Sequence, residues 1–245
     1  MVANVAGKTV IVTGAARARG MGNSHARLLA SSGANVVIAD ILDNEGRALA
    51  AEIGPRARYC HLDVTSMDSW AHAIAETEKE FGPVSALVNN AGLAYAVPFD
   101  ELSETEYRRF IDVNQVGVFL GMKAVVGSMR GAGVGSIVNI SSTAGLRGAG
   151  QILAYVGTKF AVTGMTKAGA VDLGPDNIRV NSVHPGLIDT KDMHDYRVPI
   201  LERTPLRRIA NVREVSNLIA FLVSDESSFC TGAEFVIDGG LICRQ

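Results

Sequence analysis

Short apolar segments alternate with longer helix-like segments along the chain, and this alternation constrains the fold more than any other feature of the sequence. Several apolar segments are rich in Val and Ile without strict alternation, which is typical of parallel strands covered on both faces. Strands are predicted at Thr9–Thr13, Asn35–Asp40, Arg58–Leu62, Ala86–Asn89, Ser136–Ser141, Arg179–His184 and Glu234–Asp238. Helices are predicted to begin near Gly22, Asp43, Ser66, Ser103, Ile152 and Val212. The pattern therefore predicts an α/β fold with a doubly wound, seven-stranded parallel sheet and helices on both faces.

The composition favours one globular domain. The chain has 245 residues, of which 47% are hydrophobic and 20% charged, and it contains no Pro/Ser-rich linker, low-complexity tract or repeat. We therefore expect a single Rossmann-type domain over residues 1–245. No apolar run approaches the roughly 18 residues that suggest a membrane span, and the first ten residues do not resemble a secretory signal.

Charge and cysteine content point to a cytoplasmic protein that acts on small molecules. The formal net charge of −2 gives no reason to expect nucleic acid or an anionic membrane as a partner. The three cysteines, Cys60, Cys230 and Cys243, lie far apart and lack the spacing of metal ligands. Reduced thiols in the cytoplasm, and no bound metal, are the expectation.

A glycine-rich turn joins the first strand to the first helix and reads TGAARARGMG from Thr13 to Gly22. Glycines let the backbone approach a pyrophosphate, and the helix N terminus adds N–H donors and a positive dipole end. Asp40, at the end of the second strand, can bind the ribose hydroxyls of adenosine and repels a 2′-phosphate. A tight turn with a capping aspartate is the structural alternative. The strand–turn–helix context favours a dinucleotide site that prefers NAD to NADP.

Further polar residues follow the fourth strand. The sequence NNAG (Asn89–Gly92) occupies the carboxyl end of that strand, where ligands bind in such sheets, although Asn and Gly also favour plain turns. Asn114 interrupts the helical segment Glu104–Met129, which predicts a kink, close packing or a functional amide. The five histidines are interpreted as structural or surface residues without a convergent partner: His25, His61, His72, His184 and His194.

Tyr155 and Lys159 are four residues apart, so on a helix they share one face. A phenol has an unperturbed pKa of about 10, and a nearby cation lowers that pKa, which suits the pair to acid/base work on a hydroxyl or carbonyl oxygen. Spacing alone favours a half-buried aromatic and a solvated lysine instead. Ser142, in the loop after the fifth strand, is a third group that could reach the same atom.

These motifs together resemble the single-domain branch of the short-chain dehydrogenase/reductase family. The resemblance runs from TVIVTG at Thr9 to FVIDGG ending at Gly240, and includes NNAG, Asn114, Ser142, YVGTK and the HPG motif at His184. Ser142 precedes Tyr155 by 13 residues, as in the family. Within the family, the segments DILDNEGRALAAEIG, GVFLGMKAVV and SDESSFCTGAEFVIDGG are similar to hydroxysteroid dehydrogenases.

The resemblance implies a role for each matching residue. Tyr155 would be the general acid/base, Lys159 would bind the nicotinamide ribose and lower the pKa of Tyr155, Ser142 would bind the substrate oxygen, and Asn114 would hold a water. Asp63 and Val64 would contact adenine, and Thr190 the carboxamide. The full set of implied NAD-binding residues is Gly14, Arg19, Gly20, Met21, Asp40, Ile41, Asp63, Val64, Asn90, Ala91, Gly92, Tyr155, Lys159, Pro185, Gly186, Ile188 and Thr190.

One stretch departs from the family pattern T-G-x-x-x-G-x-G. Five residues separate Gly14 from Gly20, and Ala18–Arg19 repeats Ala16–Arg17. We therefore align Gly14, Gly20 and Gly22 with the three family glycines and interpret Ala18–Arg19 as an insertion. The hypothesis is that the extra pair bulges near the adenosine phosphates while the helix start still receives the pyrophosphate.

The family places its substrate lid within residues 187–210 of this chain. Apolar residues there and nearby predict a pocket for an apolar secondary alcohol or ketone, for which a steroid is one candidate. The predicted wall residues are Leu187, Met193, Tyr196, Val198, Ile200 and Leu201, completed by Leu93, Leu146 and Ile152.

Two other functions remain open. A 3-oxoacyl thioester reductase of the same family would favour NADP and need a basic docking patch, for which Arg203, Arg207 and Arg208 are candidates. A non-catalytic NAD-binding protein would not need the four chemical residues to be intact. The family also implies a homotetramer, and the small residues Gly117, Gly121, Ala161 and Gly164 are consistent with close helix packing between subunits.

Overall fold

The computed structural model describes residues 3–190 and 197–243 of the chain. Its strands are β1 (Thr9–Thr13), β2 (Asn35–Asp40), β3 (Ala57–His61), β4 (Ala86–Asn89), β5 (Gly135–Ile140), β6 (Ile178–Pro185) and β7 (Glu234–Ile237). Its helices are α1 (Met21–Ser31), α2 (Asp43–Ile53), α3 (Met67–Phe81), α4 (Glu104–Ile111), α5 (Gly117–Ala132), α6 (Leu153–Leu173), α7 (Arg197–Arg203) and α8 (Val212–Val223).

The seven strands form one parallel sheet in the order β3-β2-β1-β4-β5-β6-β7, which confirms the predicted topology. From β1, the strands β2 and β3 are added on one side of the sheet, and β4 to β7 are added on the other side, so the order reverses between β1 and β4. Parallel sheets of this kind open a crevice at the carboxyl ends of the two strands that flank such a reversal. The fold therefore places a binding crevice beside the ends of β1 and β4.

Two apolar layers cover the sheet, and alternate residues of each central strand enter opposite layers. Val10 and Val12 of β1 pack with Leu29 of α1 and Ile219 of α8, whereas Ile11 packs in the layer that contains Trp70 of α3. Because both faces of a central strand are buried, its sequence shows no polar alternation. This burial explains the Val- and Ile-rich runs.

Each predicted strand end and helix start lies within one residue of the observed position. Local capping accounts for several of the helix starts. The hydroxyls of Ser66 and Ser103 accept hydrogen bonds from the N–H groups three residues later, and Asn211 forms a capping box with Glu214. The short helix α7, within the predicted lid, was not anticipated.

A single turn of π-helix, Asp112–Val116, joins α4 to α5 and contains Asn114. Close packing follows immediately, because a Cβ at Gly117 would lie 2.9 Å from Val64 and one at Gly121 would lie 2.5 Å from the Asn89 side chain. The predicted kink and close packing are thus both present. These two glycines achieve their close packing within the chain, against Val64, Asn89 and Trp70.

Among the described residues, Glu104–Ala132 is the one helical stretch long and apolar enough to cross a membrane by length and composition alone. Core helices of globular proteins have the same properties. Val125 and Met129 of this stretch are completely buried against the sheet, as core residues are.

A pair of substitutions in α5 tests this packing. Gly121→Ala should lower the free energy of unfolding by about 1 to 3 kcal/mol, because the new methyl meets Asn89 and Trp70. Gly127→Ala, in the same helix, should raise it by up to about 1 kcal/mol, because no atom lies within 4 Å of its added Cβ and Ala favours helix. Urea unfolding gives the free energy of unfolding of both variants. If both substitutions raised it, or both lowered it, the described packing of Gly121 would be contradicted.

Candidate active site

Polar and glycine residues meet at the carboxyl edge of the sheet, where β1, β4, β5 and β6 end. Gly14 follows β1, Asn90 follows β4, Ser142 follows β5 and Gly186 follows β6. The parallel register of these strands brings the four positions to one edge, although they are far apart in sequence. The crevice predicted from the topology is therefore lined by residues that the sequence motifs singled out.

The lengthened glycine-rich loop contains a tight turn. The N–H of Gly20 donates to the carbonyl of Arg17 over 3.1 Å, so Ala18 and Arg19 are the two central residues of that turn. Arg19 adopts a left-handed conformation, with φ of 63°. Helix α1 then begins at Met21. An extra pair of residues confined to a turn, with the helix start kept, is the arrangement that the insertion hypothesis requires.

The loop is clamped to the NNAG segment. The Asn90 side-chain amide donates to the carbonyls of Thr13 and Gly14 over 2.9 and 3.1 Å. A Cβ at Gly14 would lie 2.7 Å from the backbone of Ala91, and one at Gly22 would lie 2.5 Å from the Gly14 carbonyl. Only glycine fits at these positions, so the two segments are held in contact.

The edge beside this loop suits an anionic, polar ligand such as a dinucleotide. No side chain caps the N terminus of α1, and its first turn carries no acidic residue. The free N–H groups and the dipole of such a terminus attract phosphate. In addition, the buried Asn90 Oδ1 has no hydrogen-bond partner within the described protein. These features fit the pyrophosphate and neighbouring groups of a nicotinamide dinucleotide.

Asp40 is fixed at the end of β2. Its carboxylate is 8% exposed and accepts N–H groups from Ala16 over 2.9 Å and Leu42 over 3.1 Å. An ionised carboxylate has about four acceptor sites, so two of them remain for ribose hydroxyls. Ile41, the next residue, is 62% exposed and offers an apolar surface for a base.

Asp63 and Val64 lie at the neighbouring strand end. The Asp63 carboxylate accepts the N–H and the hydroxyl of Thr65, and the Val64 carbonyl accepts the indole N–H of Trp70. These bonds fix the loop after β3 in the place where the family resemblance expects adenine to bind.

Lys159 is buried beneath the end of β5. Its ammonium group donates to the Ile140 carbonyl over 2.7 Å, and the residue is 4% exposed. Loss of hydration lowers the pKa of Lys159 to about 8. The ammonium also lies 5.5 Å from the centre of the Tyr155 ring. The predicted pair is therefore brought together, but as a buried pair rather than a solvated one.

Asn114 holds the segment after β4 against α6. Its amide oxygen accepts the Leu93 N–H over 2.7 Å, and its amide nitrogen donates to the Leu93 carbonyl over 2.9 Å and to Thr158 over 3.3 Å. Both amide protons are therefore used within the protein. A water held by this side chain would have to donate to the remaining lone pair of the oxygen.

Ser142 caps a short 3₁₀ turn, since its hydroxyl oxygen accepts the Ala144 N–H over 3.1 Å. The hydroxyl proton is left for Tyr155, since a hydrogen bond with Ser142 lowers the pKa of that phenol. The Ser142 carbonyl accepts a hydrogen bond from His184 Nδ1 over 2.9 Å. Burial lowers the pKa of His184, so the ring is neutral and its Nε2 accepts the Ser182 hydroxyl over 2.8 Å.

His184 therefore supports the backbone of Ser142, and the prediction that it has no convergent partner is wrong. Its motif, HPG, was visible in the sequence, but its partner is a backbone carbonyl, which leaves no sequence pattern. His25 and His61 have the structural and surface positions that were predicted for them: His25 contacts Ser216 over 2.8 Å in the core, and the exposed His61 pairs with Asp43 over 2.7 Å. His194 lies outside the described residues.

Tyr155 is half-buried and faces a cavity of about 380 Å³ that Ser142 also lines. Burial raises the pKa of the Tyr155 phenol, and a hydrogen bond with Ser142 acts in the opposite direction. The expected lowering of this pKa by Lys159 is not found. Burial is the larger of the two influences on this phenol, and its pKa lies above the ordinary value.

The cavity walls agree with part of the predicted pocket. Ile152, Leu187 and Ile200 line it as expected. Leu93, Leu146 and Leu201 do not line it, because Ala94, Tyr95 and Ala96 form the wall that Leu93 was expected to supply and Arg147 takes the place of Leu146. The side chains of Met193, Tyr196 and Val198 lie outside the described part of the structure.

The strand end after β6 carries the remaining predicted residues. Pro185 ends β6, and the Gly186 N–H donates to the Ile237 carbonyl over 3.0 Å, which ties the HPG motif to β7. Ile188 forms an isolated parallel bridge with Ala210, and its carbonyl accepts the Thr190 N–H over 2.8 Å. Among the described residues, no group of three His, Cys, Asp or Glu side chains is close enough to hold a metal ion.

Comparisons with known proteins agree with this geometry. A family model described as "Enoyl-(Acyl carrier protein) reductase" matches residues 14–242. A solved structure of a short-chain type dehydrogenase/reductase from Mycobacterium marinum superposes with a TM-score of 0.93 at 33% identity, covering 98% of each chain.

Three relatives with named activities match nearly the full chain. The 3-alpha-(or 20-beta)-hydroxysteroid dehydrogenase of Mycobacterium tuberculosis is 50% identical over 99% of this chain and 92% of the relative. The trans-4-hydroxycyclohexanecarboxylate dehydrogenase of Sinomonas cyclohexanicum is 49% identical over 96% and 93%. The cyclopentanol dehydrogenase of Comamonas testosteroni is 46% identical over 95% and 96%.

Proposed function

This chain belongs to the short-chain dehydrogenase/reductase family and is an alcohol dehydrogenase or ketone reductase. From that premise we propose that it interconverts a secondary alcohol and its ketone with NAD(H), and that the substrate carries a ring and is largely apolar. One observation carries the proposal: Ser142 and Tyr155 line the same cavity, and the buried Lys159 lies next to Tyr155. When bound, the nicotinamide supplies the hydride chemistry.

The residues around the cavity can move one proton. In ketone reduction the Tyr155 phenol donates its proton to the substrate oxygen, and the raised pKa keeps that proton in place at neutral pH. The Ser142 hydroxyl, whose oxygen accepts the Ala144 N–H, would donate its proton to the same substrate oxygen. Lys159 and a neighbouring cationic ring would favour the phenolate that remains. In alcohol oxidation the same groups act in the reverse order.

The dinucleotide would occupy the carboxyl edge of the sheet. The N terminus of α1 would bind the pyrophosphate, Asp40 the adenosine ribose, and Lys159 the nicotinamide ribose. The fixed carboxylate of Asp40 supports NAD over NADP, because a 2′-phosphate would meet an uncompensated like charge. Arg17 and Arg19 lie in the same loop and are exposed, and a solvated arginine would contribute only about 1 kcal/mol toward a 2′-phosphate.

The substrate class follows from the cavity and the relatives together. A volume of about 380 Å³ is at the small end of the roughly 300–1,000 Å³ of ligand pockets. The named relatives act on hydroxysteroids, a hydroxycyclohexanecarboxylate and cyclopentanol, all of which are ring alcohols. A compact alicyclic alcohol or ketone is therefore the best supported substrate.

The thioester-reductase alternative is less well supported. Its candidate docking patch is weakened, because Arg208 forms a two-pronged ion pair with Glu214 at 2.8 and 2.7 Å. Asp40 also opposes the NADP that such an enzyme would favour.

The surroundings of the enzyme are proposed on the family resemblance. We expect the enzyme in the cytoplasm and as a homotetramer. Exposed apolar side chains support the tetramer: Phe119 of α5 is 50% exposed, and Phe160 and Val171 of α6 are 46% and 76% exposed.

Replacing the phenol tests the chemical step. Tyr155→Phe should lower kcat/KM for NADH-dependent reduction of cyclohexanone by at least 100-fold, because it removes the proton donor and keeps the ring. Tyr107→Phe, on the partly exposed face of α4, is the matched control and should change kcat/KM less than twofold. Similar rates for Tyr155→Phe and the parent would contradict the proposal.

Cofactor choice tests the role of Asp40. The parent should have the higher kcat/KM with NADH than with NADPH, and Asp40→Ala should narrow that ratio by about tenfold or more, because the repelling charge is lost. Asp63→Ala, which removes a carboxylate one strand end away, should leave the ratio nearly unchanged. A parent that prefers NADPH would overturn the assignment.

A further inference from the structure

A charged residue stands in the otherwise neutral wall of the substrate cavity. Arg147 is half-buried and is the only side chain among the described lining residues that is charged at neutral pH. Its guanidinium makes no ion pair or hydrogen bond within the described part of the chain. Five other arginines do form such pairs with carboxylates: Arg27, Arg58, Arg108, Arg130 and Arg208.

The backbone holds Arg147 at a fixed place relative to the reacting groups. Its N–H donates to the Thr143 carbonyl over 3.2 Å, and the Gly145 N–H donates to the Ser142 carbonyl over 2.9 Å. This turn is pressed against α6, since a Cβ at Gly145 would lie 2.7 Å from the Lys159 carbonyl. Ser142 and Arg147 are therefore carried by one rigid turn, the first directed to the substrate oxygen and the second to another part of the cavity wall.

A half-buried guanidinium without a counter-ion is unfavourable, and an incoming anion relieves that cost. Arginine presents a planar fork of donors that matches a carboxylate in two parallel hydrogen bonds. We propose that Arg147 binds a carboxylate on the substrate, so that the substrate class is a compact alicyclic keto or hydroxy acid. This inference rests on the proposed function, which supplies the reacting oxygen at Ser142 and Tyr155.

Arg147 could bind either a carboxylate attached to the ring substrate or a phosphate of a coenzyme A thioester. The size of the cavity favours the carboxylate. About 380 Å³ accommodates a single substituted ring between Tyr155 and Arg147. A coenzyme A thioester would offer its phosphates only far from its carbonyl group. The carboxylate takes no part in the reaction; it orients the ring so that its oxygen meets Ser142 and Tyr155.

Matched substrates test the assignment on the full-length enzyme with NADH. The parent should reduce 4-oxocyclohexanecarboxylate with a kcat/KM about 10- to 100-fold above that for its methyl ester, mainly through KM, as expected for a charged hydrogen bond. Arg147→Met should bring this ratio near one, and Arg147→Lys should retain part of it. Arg56→Met, an exposed arginine at the opposite edge of the sheet, should leave the ratio unchanged.

Several outcomes would overturn the inference. These are a parent without preference for the acid, a preference that survives in Arg147→Met, and an Arg147-dependent gain for acetoacetyl coenzyme A instead of the carboxylate. Turnover of cyclohexanone without preference for the acid refutes the Arg147 inference alone, whereas failure of every ketone refutes the proposed function. If no ketone is reduced, calorimetry still tests the Arg147 inference: the parent should bind the acid more tightly than the methyl ester, and Arg147→Met should bind the two equally.

Discussion

The burial of one ammonium group is the constraint around which the candidate active site is arranged. Lys159 has no carboxylate partner among the described residues and rests on the Ile140 carbonyl. The fall of its pKa from 10.5 to about 8 corresponds to a penalty on the order of 3 kcal/mol against the charged form. Such a group does not serve stability, since an apolar side chain would fill the space at lower cost.

The neighbouring structure keeps this cation in place. The Ser141 hydroxyl donates to the Lys159 carbonyl over 3.0 Å, and Asn114 in its π-helical turn binds Thr158, the preceding residue of α6. His184 fixes the carbonyl of Ser142 from the other side. The ends of β5 and β6 and the π-helical turn thus meet α6 beside Tyr155 and Lys159, which explains why residues so distant in sequence form one site.

Most of the fold was predictable from local patterns. The strands are buried on both faces, so their apolar runs are unbroken, and Ser66, Ser103 and Asn211 mark helix starts through capping that depends only on nearby residues. The residues of the nucleotide edge were also visible, because glycine turns and strand-end carboxylates have characteristic spacing. The roles assigned to them remain proposals based on that spacing and on the family.

What the sequence could not predict depends on contacts between distant segments. The bond of His184 to a backbone carbonyl and the place of Arg147 in the cavity wall leave no periodic signal. The sign of the Tyr155 pKa shift was also missed, because spacing reveals that Lys159 is near but not that both groups are desolvated. Burial reverses an electrostatic expectation that would hold at a surface.

The most direct test of this account is a titration of Tyr155 itself. The tyrosinate absorbance of the parent minus that of Tyr155→Phe isolates this residue among the five tyrosines. In the protein alone Tyr155 should ionise above the ordinary pKa of about 10, as its burial requires, and saturating NAD should lower that pKa, because a cationic ring then joins Lys159. A pKa that does not change with NAD, or that lies below 10 in the protein alone, would contradict the account.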